Sequence, residues 1–199
     1  MPTLSNDELA ARCAAVELLL LDVDGVLTDG VLAIDDLGVE TKHFFVRDGS
    51  AIAAWRQSGK RAAILSGRFA PVVDRRAAEL GIAPVVQGAG EKGAAFRKLL
   101  GELELEPRQV CFVGDDLPDL PVLEAVGLAA CPADAAAEVR AVAHLVTQAP
   151  GGRGAVREVI EAIFQHRGEW EAVVERYRRP SEVASVEEGK GGGPRGEAH

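Results

Sequence analysis

Two aspartates, Asp22 and Asp24, end the apolar run in "LLLLDVDGVLTDG" (18–30). Two apart in an extended chain, they face the same side while Val23 points away. Gly25 then permits a sharp turn. A second acidic cluster, "GDDLPD" (114–119), also follows an apolar run. Asp22, Asp24 and Asp115 crowded at one edge would repel one another, and hard oxygen ligands at that density suit Mg²⁺. A lone Asp-x-Asp after a strand is equally consistent with a helix cap or a turn. The second cluster at another strand end favours a ligand site.

Magnesium beside a strand-end aspartate suits phosphoryl transfer. Asp22 can attack phosphorus and form an aspartyl-phosphate. Asp24 can protonate the leaving alkoxide and then deprotonate the attacking water. Ser66, backbone amides and Lys92 can hold the phosphoryl oxygens, where transition-state charge is spread. Taken alone, Ser66 reads as a turn residue and Lys92 as a solvated first-turn lysine. Their convergence with the acids singles them out.

That convergence follows from the elements that carry these residues. Short apolar runs end in Gly or polar residues and precede helix-like segments. Strands within 60–68, 82–88 and 108–116 lead into helices over 70–81, 91–103 and 117–127. "LAACP" (128–132) leads into a helix over 133–143, and "HLVT" into the turn "APGGRG" and a helix over 154–166. Continuous apolar strands alternating with helices predict an α/β fold, a parallel sheet buried by helices on both faces. Ligands bind such sheets outside the carboxyl ends of the strands. Asp22, Asp24, Ser66, Gly67, Arg68 and Asp115 stand at those ends, and Lys92 opens a following helix.

"GVLAIDDLGVETKHFFVRDG" (30–49) breaks the alternation. Two strand-like stretches flank the turn cluster "DDLG", which predicts a β-hairpin inserted after the first strand. Its edges invite pairing with another chain. Residues 1–166 read as a single domain and 167–199 as a tail, in which "EEGKGGGPRGEAH" cannot bury enough apolar surface to fold.

The chain has 199 residues, 47% of them apolar and 27% charged, which fits one soluble globular domain. A net charge of −9 argues against nucleic acid as the main partner. No apolar stretch is long enough to span a bilayer. The three cysteines form no Cys-x-x-Cys pattern, and the N-terminus shows no export signal, so a reducing cytoplasm is expected. "GAGEKG" (88–93) matches G-x-G-x-x-G, but at the third strand-to-helix connection rather than the first, so it does not read as a dinucleotide fingerprint.

In their order, "DVDG", "ILSG", "EK" and "GDDLPD" resemble the four motifs of the haloacid dehalogenase (HAD) superfamily. The longer strings "DVDGVLTDG", "FFVRDG", "ILSGR", "GDDLPDLPVL" and "GGRGAVREVI" resemble its 3-deoxy-D-manno-octulosonate (KDO) 8-phosphate phosphatase family. The resemblance implies a Rossmann-like, capless HAD core that hydrolyses a sugar-acid phosphate on the route to lipopolysaccharide. It implies homotetramers whose hairpins pack together, each site being completed by a neighbour. Mg²⁺ would take the side chains of Asp22 and Asp115 and the backbone carbonyl of Asp24, while Arg68 and Arg76 would contact substrate carboxylate or phosphate. The alternatives are a nine-carbon, sialic-acid-type 9-phosphate as substrate, and a non-catalytic oligomerisation module. Arg68 after Ser66-Gly67 favours the eight-carbon substrate. The presence of Asp22, Asp24, Ser66, Lys92 and Asp115 favours an enzyme.

Overall fold

A computed structural model describes residues 4–178. Helix α1 (Asn6–Ala15) precedes the central strand β1 (Leu18–Leu21). The sequence carried its signature in Ser5-x-x-Glu8: the Ser5 hydroxyl caps the Glu8 N–H, and the Glu8 carboxylate accepts from the Ser5 N–H.

The sheet has six parallel strands. Completing it are β4 (Arg61–Leu65), β5 (Val85–Val86), β6 (Val110–Val113), β7 (Leu128–Cys131) and β8 (Leu145–Val146), in the order β5-β4-β1-β6-β7-β8. Alternation of side chains explains the unbroken leucine run. Leu19 and Leu21 join one buried cluster with Ile64, Val113 and Ile160. Leu18 and Leu20 join the other with Leu65, Phe96 and Phe112. A strand with helices on both faces has no solvent side, so every position is apolar.

The helices that cover the sheet are α2 (Val46–Gln57), α3 (Pro71–Leu80), α4 (Lys92–Leu103), α5 (Leu120–Leu123), α6 (Ala137–Val142), α7 (Ala155–His166) and α8 (Trp170–Arg178). The expected helix over 117–127 is cut to a 3₁₀ turn plus the single turn of α5. Pro118 and Pro121 remove backbone donors there. The helix expected from residue 133 begins at 137, because the Ala136 N–H instead donates to the Asp115 carbonyl at 2.8 Å.

The inserted hairpin is shorter than expected. Strands β2 (Ala33–Ile34) and β3 (Glu40–Thr41) pair antiparallel, with Asp35 accepting the Leu37 and Val39 N–H groups at the turn. Residues 46–49 form the first turn of α2 rather than the end of the hairpin. Asp48 accounts for this, since its buried carboxylate accepts the N–H groups of Gly154 and Arg157 and ties α2 to the start of α7.

Helical structure also continues past residue 166, in the segment that the sequence assigns to a tail. In α8, Trp170 stacks on Phe164 at 6.4 Å and Val173 is buried. The Gly-rich segment 187–199 lies outside the described residues.

Gly151 and Gly152 brace the loop after β1. Gly152 N–H donates to the Val26 carbonyl at 2.9 Å, and a Cβ on Gly151 would overlap the Gly25 carbonyl. Backbone cannot yield as a side-chain tip can. Gly151→Ala is expected to cost about 1–3 kcal/mol in thermal unfolding, because it displaces the loop that follows Asp22 and Asp24.

Candidate active site

The carboxyl ends of β1, β4 and β6 open onto one cavity of about 290 Å³. Asp22, Asp24, Ser66, Gly67, Arg68, Lys92 and Asp115 all line it, together with Asp119. Asp22 extends the sheet, its N–H donating to the Val113 carbonyl at 3.0 Å. The chain then turns through Gly25 at φ +84°, where a Cβ would collide with the Asp115 carboxylate. Glycine there lets the Asp115 loop approach.

Lys92, the first residue of α4, is buried rather than solvated. Its ammonium sits 2.8 Å from Asp22 Oδ2 and 2.6 Å from Asp119 Oδ1. Burial pulls its pKa down, but the two carboxylates outweigh it and hold the pKa above the usual lysine value. Asp119 is fully engaged, because its Oδ2 also accepts the N–H groups of Asp115 and Asp116 at 2.9 and 3.2 Å. It organises the loop and anchors Lys92.

Asp22 and Asp115 are not so compensated. Burial, then the Asp119 charge, pushes Asp22 up to about 6. Burial, then Asp22 and Asp119, pushes Asp115 up to about 8. Carboxylate oxygens of Asp22, Asp115 and Asp119 lie within 4.8 Å of one another, and Asp115 Oδ1 is buried with no hydrogen-bond partner. An orphaned oxygen among crowded carboxylates is the environment a hard divalent cation relieves.

Two residues of the site were not singled out in the sequence. Glu40 and Lys42 stand two apart in "ETK", so they share one side of the extended hairpin strand. That spacing was the available signal. Lys42 contacts Asp24, and lies 2.7 Å from Glu40. Arg68 closes the ring, 2.8 Å from Glu40 and 3.5 Å from Asp24 Oδ2.

Arg76 is the sequence-nominated residue that this site does not gather. It lies more than a turn into α3, paired with Glu79 at 2.8 Å and over the Phe44 ring at 5.9 Å. It lines a separate groove with Val46 and Val72. The helix that follows Arg68 carries it away from the strand ends.

A strand-end aspartate pair, a hydroxyl, a buried lysine and a distal acidic loop on a parallel sheet define a HAD-type hydrolase. The family model of haloacid dehalogenase-like hydrolases matches residues 39–127. The 3-deoxy-D-manno-octulosonate 8-phosphate phosphatase KdsC of Yersinia pestis is 44% identical over 79% of this chain and 84% of its own. A Yersinia pestis structure of that phosphatase superposes with a TM-score of 0.80 at 42% identity, covering 83% of this chain and 89% of that one. The Moraxella catarrhalis phosphatase, solved in complex with magnesium, phosphate and KDO, gives 0.84 at 37% identity, with 86% and 98% covered. The chain belongs to the KDO 8-phosphate phosphatase family.

Proposed function

We propose that the chain hydrolyses KDO 8-phosphate to KDO and inorganic phosphate. The observation that carries this reading is Lys92 bridging Asp22 and Asp119 beside the unpartnered oxygen of Asp115. Relatives named for this substrate, similar over most of both chains, support the specificity.

In the first step an Asp22 carboxylate oxygen bonds to phosphorus and the P–O bond to the sugar breaks. Asp24 gives its proton to the leaving alkoxide. In the second step Asp24 takes a proton from water, the water oxygen bonds to phosphorus, and the Asp22–phosphorus bond breaks. Inorganic phosphate leaves and the Asp22 carboxylate is restored. Ser66, the Gly67 amide and Lys92 bind phosphoryl oxygens, and Arg68 the sugar carboxylate. Asp22 and Asp115, with the Asp24 carbonyl, would hold Mg²⁺, which would offset the repulsion between carboxylate and phosphate.

Comparing kcat/KM over a panel of sugar phosphates tests the substrate. The eight-carbon 2-keto acid phosphate is expected to rank first, and a nine-carbon 9-phosphate better by tenfold or more would overturn the specificity.

Metal binding has its own test. Asp22 and Asp115 titrate near 6 and 8, raised from 3.8, so the metal-free fold keeps protons that the unfolded chain has released. Its stability from these groups therefore falls as pH rises from about 4 to about 8. Mg²⁺ binds the ionised forms, so the rise in Tm on replacing EDTA by Mg²⁺ is expected to be larger at pH 8 than at pH 6. An equal or smaller rise at pH 8 would count against these ligands.

The chain acts in this reading as a cytoplasmic homotetramer. All three cysteines are unpaired and buried. Among the described residues no helix is long and apolar enough to cross a membrane. The hairpin and its flanks expose Val31, Leu32, Ile34, Leu37 and Val39, apolar surface that another subunit would cover. Light scattering is expected to give about four times 21.0 kDa.

A further inference from the structure

Asp24 is held by the hairpin as well as by its own loop. Lys42 is almost fully buried, an unusual place for a lysine, and its ammonium lies between Asp24 Oδ1 and Glu40 Oε1. Glu40 turns its other oxygen to Arg68, whose Nε faces Asp24 Oδ2. Two acids and two bases thus alternate around a closed ring. Thr28 adds only a long contact to Asp24, 3.5 Å from its hydroxyl to Oδ1.

We infer that Lys42 is a positioning residue: by occupying Oδ1 it fixes the Asp24 carboxyl so that Oδ2 handles the proton exchanged with the leaving group and with water. This rests on the reading of Asp24 as the proton carrier. A lysine ammonium only donates, so Oδ1 cannot carry a proton toward it. Oδ2 is the less engaged oxygen: it is buried without a hydrogen bond, and the Arg68 Nε that faces it stands off at 3.5 Å, whereas Lys42 is in direct contact with Oδ1. Glu40 is part of the device, because its charge balances Lys42 and its second oxygen steadies Arg68. Glu40 opens β3, Lys42 directly follows that strand and Arg68 lies in the loop after β4, so the inserted hairpin contributes to the chemistry and not only to surface.

The test compares leaving groups under saturating Mg²⁺. An alkyl phosphate such as KDO 8-phosphate needs a proton on its departing oxygen, whereas p-nitrophenyl phosphate expels a phenolate that does not. The readout is the first chemical step, the burst of alcohol or phenolate released as Asp22 is phosphorylated, because the later attack by water uses Asp24 whichever group has left. Lys42→Met is expected to slow that burst for the alkyl phosphate by about 10²-fold, with KM little changed, and to affect p-nitrophenyl phosphate far less. Asp24→Asn should show the same selectivity, about 10²-fold or more. Glu40→Gln/Lys42→Met removes the charges as a pair, and it serves if the single variant fails to fold. Equal losses on both substrates in a folded variant would overturn the positioning role, as would a loss confined to KM. If Asp24→Asn keeps the selectivity and the Lys42 variants lack it, only this inference fails. If Asp24→Asn lacks it too, the assignment of Asp24 fails with it.

Discussion

Asp22→Asn is expected to abolish turnover while leaving the fold at least as stable. The amide matches the carboxylate in size but cannot donate an electron pair to phosphorus as an anion does. A loss of about 10⁴-fold or more in kcat is expected. The stability result separates this from damage. Asp22 sits among Asp115 and Asp119 with its pKa pushed up to about 6, so its charge is unfavourable where it stands. Removing that charge relieves repulsion, and Tm without metal should hold or rise. Undiminished phosphatase activity in the folded variant would sink the proposed mechanism.

Lys92→Met is expected to lose activity and stability together. The ammonium lies within 2.8 Å of Asp22 and 2.6 Å of Asp119, and all three side chains are buried. Its loss leaves buried carboxylates facing one another without a cation. Breaking a buried pair from one side costs about 3–5 kcal/mol, or on the order of 10 °C in Tm at this chain length. The double variant Asp22→Asn/Lys92→Met should regain part of that loss, because one of the abandoned charges is gone. It should regain no activity. Thermal melts of the three variants measure the coupling. A Lys92→Met protein as stable as the parent would mean that the lysine does not compensate these acids.

These two variants touch one contact and are expected to move stability in opposite directions. The reason is the sign of the local charge. The strand ends carry more carboxylate than cation, so deleting an acid relieves the site and deleting the lysine aggravates it. Mg²⁺ should narrow the difference without restoring catalysis to either variant.

Much of this could be read along the chain. The leucine run of β1 states burial on both faces, and Asp22 and Asp24 follow it at a spacing that sets them on one side. Ser66 and Asp115 also stand where apolar strands end, so local order alone placed them at one sheet edge. The capping box at Ser5 and Glu8 was equally local. The resemblance to a known family rested on such strings.

Other features depended on what the chain brings into contact. Lys92 reads as an ordinary first-turn lysine until Asp22 and Asp119, 70 and 27 positions away, close on it. Lys42 and Glu40 look like the polar side of an exposed hairpin, yet the fold buries the lysine against Asp24. Asp48 looks like a turn aspartate and instead caps α7 from 106 residues away. Arg76 shares its residue type and neighbourhood with Arg68, and only the direction of α3 separates them. Types and spacings along a strand or a turn are set by backbone geometry, so the sequence alone determined the layered α/β core and the acids at its edge. Burial and charge pairing depend on residues distant in sequence, so only the tertiary structure decided which cation holds which carboxylate.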